Sequence, residues 1–97
     1  MCGICGKLRL DTSGSIDTAS LDRMMDAIVH RGPDGRGKYV SGPVALGHTR
    51  LAIIDLNTGA QPISNEDRKI WIVYNGEVYN FEELRRDLIA HGHALPF

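Results

Sequence analysis

The chain has 97 residues, which is enough for at most one domain. Eleven basic and twelve acidic residues leave a formal net charge of -1, a balance that argues against nucleic-acid or membrane-surface binding. The longest uninterrupted apolar runs cover only a few residues. The sequence also has no basic segment followed by an apolar one, which is the pattern of a signal peptide. We therefore expect a soluble, cytoplasmic protein whose two cysteines stay reduced and whose partners are small molecules or proteins.

The first residues, Met1-Cys2-Gly3, place a cysteine directly behind the initiator methionine. A small second residue permits removal of that methionine, which would leave Cys2 with a thiol and a free α-amine. An α-amino group titrates near pH ~8, against ~10.4 for lysine, so a useful fraction is neutral and can accept the thiol proton. The segment predicts a nucleophile that carries its own base, although a poorly ordered terminus is the other interpretation.

Cys2 and Cys5 also form a C-x-x-C pair, which is typical of redox chemistry or of half a zinc site. A zinc site needs two more ligands, and the only candidates are histidines without finger-like spacing: His30, His48, His91 and His93. The sequence therefore favours Cys5 as a small buried apolar residue, with metal or redox function as a lesser alternative.

In chain order, the first predicted elements are a strand over residues 3–10 and a helix. The strand carries Ile4, Leu8 and Leu10 on one face and ends in the turn-forming residues 11–15. Asp17 fits the N-cap of the helix, with Ile16 and Leu21 at the staple positions. Further apolar residues recur at helical spacing: Met24, Met25, Ile28 and Val29.

Residues 30–37 follow this helix and, with their glycines and proline, predict a helix end and a turn. Residues 44–56 predict one or two strands and residues 70–74 another, with the turn between them at residues 65–67.

A second helix is predicted to open at Asn80, with Glu83 at the capping-box position and Tyr79 and Leu84 as a staple. It should run to about residue 90, before Gly92. The order of strand, helix, several strands and helix predicts an α+β fold without an alternating βαβ repeat.

Two further segments carry unusual chemistry. Arg50 begins an apolar run, and an arginine entering a buried strand needs an anionic partner, either a protein carboxylate or a substrate one. Asn75-Gly76 after a strand indicates a turn. The Asn75 amide beside the Gly76 N-H is also a suitable pair of donors for an oxyanion, with Glu77 adjacent to receive an ammonium group.

Taken together, these segments resemble the start of the glutamine-hydrolysing asparagine synthases, which carry a class II glutamine amidotransferase domain. The residues that carry the resemblance span the chain in order: Met1-Cys2-Gly3-Ile4, His30-Arg31-Gly32-Pro33-Asp34-Gly35, Gly47-His48-Thr49-Arg50-Leu51-Ala52-Ile53-Ile54-Asp55-Leu56, Gln61-Pro62 and Tyr74-Asn75-Gly76-Glu77-Val78-Tyr79-Asn80. Glucosamine-phosphate synthases and amidophosphoribosyltransferases share the cysteine start, but lack the Pro33-Asp34 pattern and usually have His in place of Tyr74.

The resemblance implies a four-layer αββα sandwich of the N-terminal nucleophile hydrolase fold, of which residues 1–97 would form the first part. The family domain is about twice this length, so we expect a fragment, a truncated product or part of a larger polypeptide. A synthetase domain is absent from these residues, and a Ser-Asp region that supplies a second carboxylate for the substrate is expected beyond Phe97.

The resemblance also implies a role for each matching residue. Cys2 would attack the glutamine side-chain amide with its own α-amine as base, and Asn75 and Gly76 would form the oxyanion hole. Arg50 would bind the substrate α-carboxylate and Glu77 its α-ammonium. The pocket would be lined by the backbone of Leu51, Ala52, Ile53 and Ile54, with Arg31 and Asp34 ordering the adjoining loop.

Expected partners follow from the same resemblance. They are glutamine and the synthetase domain of the same polypeptide, and the family also allows a homodimer. No cofactor or metal is expected for these residues, whereas ATP and Mg²⁺ are expected for the missing synthetase domain. The alternative is a non-catalytic glutamine-binding or regulatory fragment that lacks turnover because the domain is incomplete.

Overall fold

The computed structural model describes residues 2–11, 14, 16–51 and 60–94. Its elements are β1 (Gly3–Leu8), α1 (Thr18–Ala27), a short 3-10 helix (Val29–Arg31), β2 (Gly35–Ser41), β3 (Val44–Arg50), β4 (Ile63–Ser64), β5 (Trp71–Ile72) and α2 (Phe81–Ala90). The predicted α+β class is confirmed for this part of the chain. None of its helices is long and apolar enough to span a bilayer.

Three strands form one antiparallel sheet in the order β1-β3-β2. Thr49 of the central strand pairs with Gly3 on one side and Arg36 on the other. The interpretation of residues 30–37 as only a helix end and a turn is wrong from Gly35 onward, where β2 begins. Two of its residues that face α1, Arg36 and Lys38, are charged, so the hydrophobic pattern of the sequence did not predict the strand.

Helix α1 covers one face of this sheet. The Asp17 carboxylate accepts a hydrogen bond from the Ala19 N-H at 3.0 Å, which confirms the predicted N-cap. The apolar core consists of Ile16, Leu21, Met25 and Ala45. At the rim of this face, salt bridges join β2 to the exposed side of the helix: Arg36 to Asp26, and Lys38 to Asp22.

The opposite face of the sheet contacts a hairpin formed by β4 and β5. Tyr39 of β2 stacks on Trp71 of β5, with ring centroids 4.1 Å apart and an interplanar angle of 13°. The hairpin turn lies at the predicted residues 65–67, where the Asn65 side chain accepts hydrogen bonds from the Lys69 and Ile70 N-H groups. The sequence did not predict β4, and β5 is shorter than residues 70–74.

Helix α2 begins after Asn80 and ends before Gly92, whose φ of 90° suits glycine. The predicted cap is wrong in detail, because the Asn80 side chain makes no capping hydrogen bond. Tyr79 is 94% exposed, so the predicted hydrophobic staple is absent. No residue of α2 is buried, and the three apolar residues predicted to share one face of the first strand are all exposed: Ile4 and Leu8 in β1, and Leu10 just after it.

Candidate active site

Cys2 lies at the start of β1, beside the end of β3. Its Sγ accepts a hydrogen bond from the Leu51 N-H at 3.4 Å and lies 3.8 Å from the Leu51 carbonyl oxygen. The antiparallel register explains this contact, because the pairing of Gly3 with Thr49 carries Cys2 to the residues that follow β3. The thiol is therefore held against a backbone amide directly after Arg50.

The loop after α1 hydrogen-bonds to the residue before β1 and to the last residue of β3. Arg31 Nε donates a hydrogen bond to the Cys2 carbonyl oxygen at 3.4 Å, and the Asp34 N-H donates one to the Arg50 carbonyl oxygen at 2.9 Å. Gly32 lies so close to β3 that a Cβ there would overlap the Thr49 carbonyl oxygen. Only glycine fits at that position without a shift of the backbone.

Cys5 occupies the helix-facing side of β1, away from Cys2. Its Sγ lies against Gly47, next to Met25, and burial raises the pKa of its thiol. Three residues of extended chain separate two Cα atoms by about 10 Å and place their side chains on opposite faces. A disulfide needs Cα atoms within about 7 Å. The strand geometry therefore keeps these two thiols from pairing.

Both cysteines and all four histidines belong to the described residues. No group of three or more His, Cys, Asp or Glu side chains in that part of the chain could hold a metal ion. The zinc interpretation of the C-x-x-C pair thus has no support among those residues.

The predicted oxyanion donors lie in the segment after β5. The Tyr74 hydroxyl donates a hydrogen bond to the Glu77 carbonyl oxygen at 3.2 Å and closes the segment into a turn. A Cβ on Gly76 would lie 2.8 Å from that hydroxyl oxygen. Asn75 is half-buried, whereas Gly76 and Glu77 are exposed.

His48 connects this segment to the central strand. It lies on β3 two residues before Arg50, is 1% exposed and has a ring hydrogen bond with the Tyr74 backbone. Burial, and after it the Arg50 charge, lowers the pKa of His48, while the Tyr74 bond opposes them. Its Nε2 is buried without a partner among the described residues. A neutral ring donating from Nδ1 fits this environment.

Gln61 makes the second connection to Tyr74. Its Oε1 accepts a hydrogen bond from the Tyr74 N-H at 2.6 Å, and its Nε2 donates to the Tyr74 carbonyl oxygen at 3.0 Å. Sequence reasoning assigned no function to His48 or Gln61. The pattern Gln61-Pro62 was part of the family resemblance, but nothing in it points to a contact with Tyr74.

The predicted site residues divide into three groups. Cys2, Arg50 and Leu51 meet where β1 and β3 are adjacent. Asn75, Gly76 and Glu77 form one turn, joined to β3 through His48 and Tyr74. Three pocket-lining residues lie outside the described part of the chain: Ala52, Ile53 and Ile54.

Comparison with known proteins assigns this arrangement to a family. Residues 1–96 match the family described as the glutamine amidotransferase domain. The chain belongs to this family. The match includes Cys2, the second residue of the sequence.

Curated relatives of this glutamine amidotransferase domain are named as asparagine synthetases, as the sequence resemblance predicted. Asparagine synthetase 1, glutamine-hydrolyzing, of Bacillus subtilis (strain 168) is 43% identical over 96 residues, which is 97% of this chain and 15% of the relative. A probable glutamine-hydrolyzing asparagine synthetase of Dictyostelium discoideum is 45% identical over 93 residues, 95% of this chain and 16% of the relative. The chain thus spans about a sixth of these relatives.

Proposed function

We propose that this domain hydrolyses the side-chain amide of glutamine and supplies the ammonia to asparagine formation. The observation that carries the proposal is the contact of the Cys2 sulfur with the Leu51 N-H, immediately after Arg50. A thiol, a backbone donor and a permanently charged arginine thus lie at one corner of the sheet, which supports this chemistry. The match of residues 1–96 to the amidotransferase family supports the same chemistry.

The first step requires removal of Met1, which frees the Cys2 α-amine. The thiol proton passes to this amine, and the thiolate attacks the amide carbon of glutamine. The Leu51 N-H stabilises negative charge on the sulfur before the attack. No histidine is needed as the base.

Attack produces a tetrahedral intermediate with a negatively charged oxygen. In our proposal the Asn75 side-chain amide and the Gly76 N-H donate hydrogen bonds to that oxygen. The protonated amine returns its proton to the leaving nitrogen, the carbon-nitrogen bond breaks and ammonia departs. Water then attacks the thioester, which releases glutamate and restores the Cys2 thiol.

Charge complementarity at the other end of glutamine gives the substrate specificity. Arg50 offers a bidentate guanidinium to the α-carboxylate, and Glu77 offers a carboxylate to the α-ammonium. We assign the backbone from residue 51 to residue 54 to the wall of the pocket.

The complete polypeptide would use the ammonia in a synthetase domain that takes ATP and Mg²⁺. This part of the proposal rests on the names of the relatives, of which the chain covers about 15%. The residues described above would then serve only to release ammonia from glutamine.

A paired substitution in the full-length polypeptide tests the chemistry. Cys2→Ala should lower glutamate release at least about a thousandfold, because the nucleophile is removed. Cys5→Ala is the matched control: it removes the same group from the opposite face of β1 and should retain activity within about threefold. Intact mass should show that Met1 is absent. Equal activity of Cys2→Ala and wild type, or retained Met1 in active protein, contradicts the mechanism.

Titration calorimetry with glutamine separates this function from a non-catalytic binding module. An enzyme binds glutamine and releases ammonia, and Cys2→Ala should bind without release. Binding by wild type with no ammonia release would instead favour the module.

A further inference from the structure

The side chain of Gln61 takes the place of a backbone hydrogen-bonded pair that would extend the β4-β5 hairpin. Ile63 pairs with Ile72 and Ser64 with Trp71, and the same register continued by two residues sets Gln61 opposite Tyr74. In an antiparallel ladder, two such residues exchange both N-H to C=O bonds through their backbones. Here the Gln61 side-chain amide makes both bonds to the Tyr74 backbone, at 2.6 and 3.0 Å.

The backbone of Gln61 is in turn fixed to the main sheet. Gly37 of β2 approaches it so closely that a Cβ at that position would overlap the Gln61 carbonyl oxygen. Gly37 pairs with His48 of the central strand, and His48 also bonds the Tyr74 backbone. The side chains of Gln61 and His48 therefore tie the backbone of one hairpin residue, Tyr74, to the sheet.

Tyr74 immediately precedes the donor pair of the proposed oxyanion hole. Because Tyr74 is followed by Asn75 and Gly76, the position of its carbonyl and N-H sets where the two donors begin relative to β3. Leu51, directly after β3, contacts the Cys2 sulfur. The side chain of Gln61 thus links the donor segment to the sheet that holds Cys2, in addition to the direct contact from His48.

We propose that Gln61 is a positioning residue, which acts through the Tyr74 backbone to set the Asn75 and Gly76 donors at the reacting carbonyl. The inference rests on the proposed function. Loss of a single oxyanion donor costs about 10²–10³ in kcat, and misplacement by a fraction of an ångström costs part of that. The effect should fall on kcat, since the donors bind the charge that forms only during the reaction.

The test compares two side chains that bond the backbone of the same hairpin. Gln61→Ala in the full-length polypeptide should lower kcat for glutamine hydrolysis about tenfold or more, with KM changed less than about threefold. Asn65→Ala is the control, since Asn65 also accepts two backbone hydrogen bonds, at 3.1 Å each, but at the turn far along the hairpin. It should retain kcat within about twofold while losing comparable thermal stability.

A second variant separates positioning from folding. Gln61→Glu keeps the side-chain length and the acceptor for the Tyr74 N-H, but its ionised carboxylate faces the Tyr74 carbonyl oxygen without a donor. Protonation restores an O-H donor, so the ratio of its kcat to that of wild type should rise as the pH is lowered towards about 5. A ratio independent of pH, with Gln61→Ala no slower than Asn65→Ala, overturns the positioning role.

The outcomes distinguish this inference from the proposed function. Wild-type protein that releases no ammonia from glutamine refutes the proposed function and the inference with it. Active wild-type protein whose Gln61 variants keep their kcat refutes the inference alone.

Discussion

At the scale of single residues, Gly32 is where the loop after α1 lies closest to β3. Gly32→Ala should lower the free energy of unfolding by about 2 kcal/mol, because the new methyl would overlap the Thr49 carbonyl oxygen and force the backbone apart. Urea denaturation measures this change.

Gly35→Ala is the matched control for that substitution. A Cβ on Gly35 would meet only the Arg50 Cβ, at 3.9 Å, which is an ordinary contact. Its stability should stay within about 0.5 kcal/mol of wild type. Equal losses at the two glycines would show that the close approach of the loop is not what requires Gly32.

His48 predicts a pH dependence of stability. Burial and the Arg50 charge lower its pKa in the folded protein, whereas an unfolded histidine titrates near ~6.5. The unfolded chain therefore binds more protons across that interval, and stability rises with pH. The contribution is fully present above the unfolded pKa and is lost as the pH falls through the lower folded pKa.

Denaturation at about pH 8 and about pH 5.5 checks this expectation. Wild type should lose about 1 kcal/mol more on acidification than His48→Gln, which has no proton to gain. His30→Gln is the control, because His30 is exposed and the substitution should leave the wild-type pH dependence in place. Identical acid sensitivity of wild type and His48→Gln would contradict the prediction.

At the scale of elements, the two helices have similar lengths but different environments. Leu21 and Met25 of α1 are buried against the sheet, whereas no residue of α2 is buried. Backbone amides of α2 in the 97-residue chain should exchange with deuterium at least about tenfold faster than those of α1, after correction for intrinsic rates. Hydrogen exchange followed by mass spectrometry measures both. Equal protection would mean that α2 has packing that the described residues do not show.

The same contrast explains which elements could be predicted. Helix α1 has a capping Asp17 and an apolar stripe, and both signals are local. Strand β2 has its polar Arg36 and Lys38 towards the helix because partners there balance their charge, so its pattern departs from simple alternation. Strand β4 is two residues long, which is too short for a periodic signal.

At the scale of the whole molecule, helix α1 packs on one face of the three-stranded sheet and the hairpin contacts the other face. The roles of Cys2, Arg50 and Asn75 stay predictions, which the sequence allowed because a thiol, a guanidinium and an amide group each suit a specific step of amide hydrolysis. The contacts of His48 and Gln61 with Tyr74 could not be predicted, because they join residues 13 positions or more apart in the chain. No local pattern encodes such a distance.

The contact between the Cys2 sulfur and the Leu51 amide joins residues 49 positions apart, and this has a consequence for the order of events during synthesis. At about 5–20 residues per second, several seconds pass between the emergence of the two residues from the ribosome. Until β3 exists, β1 has no strand to pair with, and the terminus is a free peptide end. The removal of Met1 that the proposed mechanism requires has this interval in which to occur. Under the proposed mechanism, antiparallel pairing with a later strand leaves time for the terminus to be processed before the site closes.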